Sequence, residues 1–304
     1  MAGSKAIWFF VVLSISMLLS WTNPRGETLK SFYPLPLYYS NSSTQSASSS
    51  NDDISSLNNV STALLRLSFH DCFVEGCNAS RQAIPNQTLR GFDKIDSVKE
   101  EFEKACPGVV SCADIVSIAT RDGIMLAGGP FYPVLTGRRD SIHSYFNEAL
   151  AAIPRPDDNI KQTLHLFDLK SLKRFKKFFG AHNIGKIGYE FIQKRLSEFK
   201  GTGLPDPTIA PDFLPEMRMR CQDSNGTTTR PSSSSMASLG LLFADQQLMA
   251  NEKTARLERA YASDDGSTFR MDFARAMMKM LGLDLLTGSQ GQVWRNCFLP
   301  LVSS

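Results

Sequence analysis

Two of the four histidines stand among residues that could act with them chemically. The first lies in Arg66-Leu67-Ser68-Phe69-His70-Asp71-Cys72-Phe73-Val74-Glu75-Gly76-Cys77-Asn78-Ala79-Ser80. If Leu64 to Asp71 is helical, Arg66 and His70 lie one turn apart, placing a permanent cation and a titratable base on one face. Such a pair can take a proton and stabilise developing negative charge. The spacing equally suits a surface arginine beside a packed histidine, and taken alone it favours that plainer arrangement. Asp71, Asn78 and Ser80 add oxygen side chains, and Val74 and Gly76 can present carbonyls, a density of hard donors that suits calcium. Cys72 and Cys77 are close enough in sequence to bridge this loop. A zinc site built from His70, Cys72 and Cys77 is the rival, weakened by the lack of a second ligand pair. The other histidine lies in Gly180-Ala181-His182-Asn183-Ile184-Gly185, where small neighbours would let a large flat ligand such as heme approach. That triplet alone is common by chance.

Helices must carry these groups. Phe92, Ile95, Val98 and Phe102 recur at three and four residues among charged positions, which predicts an amphipathic helix closed by Cys106-Pro107-Gly108. Cys112 to Ala127 is almost continuously apolar and ends at Gly128-Gly129-Pro130, a buried helix with a glycine stop. Phe269, Phe273, Ala276, Met277 and Met280 mark another helix, its methionines serving as core filler. Strand alternation is nearly absent, so the fold class is mainly α. The basic run Lys170 to Lys177 reads as a solvated helix face.

The 304 residues allow two domains or one large one, and 42% hydrophobic with 21% charged residues is a globular composition. A net charge of +3 gives no ground for a nucleic-acid partner. Lys5 and the apolar run Ala6 to Trp21 make residues 1–22 a secretory signal peptide, cut after Thr22, or an uncleaved signal anchor, the only route to membrane attachment. Secretion would suit the Asn-x-Ser/Thr sequons at Asn41, Asn59, Asn78, Asn86 and Asn225, and disulfides among the six cysteines. Residues 23–61 form a Ser/Asn-rich low-complexity segment; fourteen of the 22 residues from Ser40 to Ser61 are Ser or Asn, too polar to offset the entropy of ordering. Ser224 to Ser238 is similar and is expected to be a surface loop.

Taken in order, these segments resemble the class III secretory plant peroxidases. The resemblance is carried by Leu-Arg-Leu-Ser-Phe-His-Asp-Cys-Phe-Val-Glu-Gly-Cys at 65–77 and by Pro-Asn with Leu-Arg-Gly-Phe within 85–92. It continues in Cys-Pro-Gly-Val-Val-Ser-Cys-Ala-Asp-Ile at 106–115, Gly-Gly-Pro at 128–130 and Gly-Arg-Arg-Asp-Ser at 137–141. Gly-Ala-His at 180–182, Pro-Asp-Pro-Thr at 205–208, Gly-Leu-Leu-Phe-Ala-Asp-Gln-Gln-Leu at 240–248 and Leu-Thr-Gly at 286–288 complete it. It implies a domain over 62–300, bilobal, with heme b between a distal half of about 62–155 and a proximal half of about 156–300. It also implies a secreted monomer, of the cell wall or vacuole, that uses hydrogen peroxide to oxidise small phenols one electron at a time.

Residue by residue, the resemblance makes His182 the axial heme ligand and Asp245 the carboxylate that accepts its Nδ1 proton. His70 becomes the distal base, Arg66 the charge stabiliser, and Asn86 the partner of the His70 Nδ1–H. Pro154 falls at the donor site. Cys72 pairs with Cys77 and Cys112 with Cys297, and Asp114 pairs with Arg138. Calcium would be held by Asp71, Val74, Gly76, Asn78 and Ser80, with Asn183 at a second, proximal site.

The chain also departs from the family. The first family cysteine is missing, which leaves Cys106 without its partner, and Tyr189 stands where the partner of Cys221 belongs. Asn78 replaces a ligand aspartate, a stretch after Ser80 is absent, and Asn183 replaces a ligand threonine. The residues between Cys221 and Gly240 lack the remaining proximal ligands. A weakened distal calcium and a lost proximal one are expected, and a catalytically impaired or inactive peroxidase-like secreted protein is the alternative function.

Overall fold

The computed structural model describes residues 30–32, 51–73, 86–142, 146–155, 158–170, 181–182, 186–188, 192–222, 227–229 and 242–297. The architecture is mainly α. Two contact units divide it, one running to Ile153 and resuming at Met277, the other spanning Pro154–Ala276. The C-terminal residues, expected in the proximal half, belong instead to the first unit.

In the first unit helix α1, Asn51–Phe73, carries the Arg66 segment. It begins inside the Ser/Asn tract, which corrects the expectation of an unstructured segment as far as Ser61. The physical reason is cooperativity: Leu64, Leu65, Leu67 and Phe73 are buried, and a helix nucleated by that packing extends at little cost per residue into polar sequence. The amphipathic helix α2, Phe92–Ala105, buries Ile95, Val98, Lys99 and Phe102. Helix α3, Cys112–Leu126, is capped by Ser111, whose hydroxyl accepts from Asp114 N, and buries nearly every side chain. It crosses α1 closely through small residues: Gly123 packs on Ser61, and Thr120 Oγ1 donates to Leu64 O at 3.1 Å. The glycine stop works in two ways. Gly128 takes φ +83°, and at Gly129 a Cβ would lie 2.5 Å from Ile124 Cγ2, so only glycine fits.

The Gly-Arg-Arg-Asp-Ser motif follows strand β2, Val134–Thr136, which pairs antiparallel with β1, Lys30–Phe32. Asp114 Oδ2 accepts from Gly137 N at 2.7 Å, and Oδ1 lies 3.4 Å from Arg138 Nη1, while Arg138 Nη2 reaches Leu281 O at 3.1 Å. Asp140, fully buried, accepts from Cys112 N at 3.1 Å, Ala113 N at 2.9 Å and Trp294 N at 2.8 Å. Cys112 and Cys297 are joined by a disulfide. These links explain why the C-terminal residues belong to the first unit.

Buried Lys99 holds the turn after α2. Its Nζ donates to Val110 O at 2.6 Å and pairs with Glu103 Oε1 at 2.6 Å, and Glu103 in turn accepts from Gly108 N. Cys106, whose thiol is free, lies in this turn. Lys99→Met leaves Val110 O and Glu103 without that cation and should destabilise the protein by about 2 kcal/mol. Urea unfolding checks this; an unchanged midpoint would contradict the assigned role.

The second unit follows Ile153. After α4, Phe146–Ala152, come α5, Ile160–Leu169, and α6, Gln193–Ser197; α5 opens on an Asn159–Gln162 capping box. Leu196, Ile209, Phe213 and Met217 form a core cluster between α6 and α7, Phe213–Gln222. Strands β3, Lys186–Gly188, and β4, Thr227–Thr229, pair antiparallel. Helices α8, Phe243–Ala250, and α9, Glu252–Ala262, follow, and α10, Ser267–Met280, crosses the second boundary. Lys170 ends α5, and the rest of the basic run lies outside the described residues, as does Ser224 to Ser238 apart from β4. Among the described residues no helix is long and apolar enough to cross a membrane.

Candidate active site

Helix α1 presents Arg66 and His70 one turn apart. His70 is buried, and its Nδ1 lies 2.7 Å from Asn86 Oδ1. An amide oxygen can only accept, so Nδ1 carries the proton and the lone pair resides on Nε2. Phe69 contacts the imidazole edge-on, with ring centroids 5.9 Å apart. Burial foremost, then the Arg66 charge, lowers the His70 pKa to about 4, opposed by the bond to Asn86. Arg66 is exposed by area yet crowded by protein atoms, and its pKa is lowered by desolvation without threatening its charge at neutral pH. Its Nη2 donates to Thr88 Oγ1 at 2.8 Å.

A depressed histidine pKa ties stability to pH with a definite sign. Between pH about 6.5 and about 4 the unfolded chain binds a proton that the folded chain refuses, so stability falls as the pH falls through that window. His70 should contribute a loss of about 3 kcal/mol across it. Comparing unfolding free energies of the native chain and His70→Gln at pH 7 and pH 4.5 checks this, and an identical pH dependence would contradict it.

In the second unit His182 Nδ1 lies 2.6 Å from Asp245 Oδ1. The His182 side chain is 40% exposed and that of Asp245 8%. Asp245 sits in the first turn of α8, where the helix dipole favours a negative carboxylate. A carboxylate at this distance fixes the proton on Nδ1 and directs the lone pair to Nε2. The donor set fits a heme iron: an imidazole whose Nε2 is directed outward by a buried carboxylate on Nδ1.

Other residues implied by the resemblance fare differently. Pro154 is half-buried directly after Ile153. Asp71 is buried, whereas Val74, Gly76, Cys77, Asn78, Ser80 and Asn183 lie outside the described residues. Among the described residues no cluster of three or more His, Cys, Asp or Glu could hold a metal ion. Cys72 carries a free thiol, and burial, with Asp71 adding, pushes its pKa up to about 12; Cys77, its expected partner, is among the residues outside the description. Thr88 was not legible as a site residue; its one signal was its place in the sequon headed by Asn86.

Each of the two imidazoles is oriented through Nδ1 by a side-chain oxygen, which leaves its Nε2 available to accept a proton or to bind a metal. The model of the family described as Peroxidase matches residues 45–264. Peroxidase 57 of Arabidopsis thaliana is 38% identical over 260 residues, covering 78% of this chain and 82% of that protein. Peroxidase 22 of the same plant is 37% identical over 278 residues, covering 81% and 79%. The chain belongs to the plant peroxidase family and is a peroxidase, an oxidoreductase using hydrogen peroxide and a donor. Heme and calcium are typical of that family.

Proposed function

We propose that this chain oxidises small phenolic donors one electron at a time with hydrogen peroxide, using heme b held by His182. The observation that carries this is the pair of oriented imidazoles, His70 on Asn86 and His182 on Asp245. Bound heme supplies the redox chemistry. His70 Nε2 takes the first proton of hydrogen peroxide and returns it to the departing oxygen as water forms. The Arg66 guanidinium stabilises the negative charge on that oxygen as the O–O bond breaks. Asn86 holds the His70 Nδ1–H so that Nε2 stays available, and Asp245 does the equivalent for His182. Pro154 lines the donor site.

The distal calcium, resting on Asp71 with Asn78 in place of a carboxylate, is weak, and the proximal one, with Asn183, is lost. The protein is a secreted monomer, its residues 1–22 a signal, with no nucleic-acid partner. The free thiols of Cys72 and Cys106 favour a second reading, a catalytically impaired relative. The test is to refold the full chain with heme and calcium. A Soret band of five-coordinate ferric heme with peroxide-dependent guaiacol turnover is expected, both lost in His182→Ala. Heme binding without turnover would favour the impaired relative; no heme binding would defeat the peroxidase reading and favour an inactive relative.

A further inference from the structure

Asn86-Gln87-Thr88 has the form of a glycosylation acceptor, but both polar ends have other partners. Asn86 is 1% exposed and its Oδ1 meets His70 Nδ1, while Thr88 Oγ1 accepts from Arg66 Nη2 at 2.8 Å. The backbone between them turns back on itself, Leu89 N donating to Asn86 O at 3.0 Å, and buried Leu89 anchors the turn. Both acceptor oxygens therefore sit on one short turn and meet two residues of one helix, α1. An arginine side chain carries large rotamer entropy, and a fixed acceptor at one end of its fork restricts where the charge sits.

We propose that Thr88 is a positioning residue for Arg66, and that the Asn86–Thr88 turn is one clasp setting the base and the cation relative to each other, so that Asn86 carries no glycan. This rests on the roles given above to Arg66 and His70. Thr88 is exposed, so removing its hydroxyl leaves no new buried polar group on its own side and alters the placement of Arg66 more than the fold.

The test uses the heme-loaded full chain with Thr88→Val, which removes the hydroxyl at nearly constant shape, Thr88→Ser, which keeps it, and Arg66→Gln as reference. Fluoride affinity of the ferric protein reads the cation without turnover, and peroxide-limited kcat/KM reads it in the reaction. Thr88→Val should weaken both by about three- to tenfold, with the donor-limited rate unchanged, and Thr88→Ser should restore both. Arg66→Gln should weaken both further. If Arg66→Gln is impaired and Thr88→Val is not, the clasp is overturned while the roles of Arg66 and His70 stand. Equal impairment of Thr88→Val and Thr88→Ser overturns it as well, because bulk and not the hydroxyl would then matter. If Arg66→Gln matches the native chain, those roles fall and the clasp with them. A glycan on Asn86 in peptide mass spectra of the secreted protein overturns it independently.

Discussion

Replacing His70 with alanine is expected to lower peroxide-limited kcat/KM by about 10²- to 10⁴-fold, the span that a positioned general base contributes. The expectation rests on three features. His70 is buried, so few waters can substitute for it. The bond to Asn86 leaves the lone pair on Nε2. A pKa lowered to about 4 keeps the ring neutral, and so able to accept a proton, throughout the pH range above about 5. The native enzyme should accordingly lose peroxide reactivity on an acid limb near pH 4, and the alanine variant should lack that limb. Heme binding through His182 should survive, which separates lost chemistry from lost structure. A loss smaller than tenfold would remove His70 from the proposed mechanism.

The largest effect on stability is expected from the pair Cys112→Ala and Cys297→Ala together. Their disulfide closes a separation of 185 residues, and the chain-entropy relation assigns such a loop about 5 kcal/mol. Both cysteines are fully buried, so serine would add an unsatisfied hydroxyl that alanine avoids. A loss of this size approaches the whole stability of many domains, about 5 to 15 kcal/mol. It falls where the Asp140 carboxylate already gathers the backbone N–H groups of Cys112, Ala113 and Trp294. Those bonds should keep the variant folded at low temperature while its denaturation midpoint drops. Guanidinium unfolding at 15 °C measures it, and a loss below about 1 kcal/mol would show that the disulfide merely duplicates the Asp140 contacts.

Helix α2 was legible in the sequence because burial on one face repeats with the helical turn, and α3 because its apolar run is nearly continuous; glycine and proline mark the ends of both. The start of α1 was not legible. Its N-terminal half is polar, and what extends it is the packing of its C-terminal half, Leu64 through Phe73, against α3. Asp140 was visible only as a letter in a motif, and Thr88 only as part of a sequon, since neither residue's type reveals which N–H will reach it.

Residue chemistry and local helical order were thus the sequence's own determination: two histidines in reactive settings, a cation one turn from the first, and mainly α structure. Tertiary structure decided the pairings. His182 meets Asp245 across 63 positions, Arg66 meets Thr88 across 22, and Asp140 meets Trp294 across 154. It also decided that Cys72 keeps a free thiol and that the C-terminal residues join the first unit. The reason is range: a periodic pattern constrains neighbours within a turn or two, whereas a hydrogen bond requires atoms within about 3 Å, a condition on distant segments that only the closed chain satisfies.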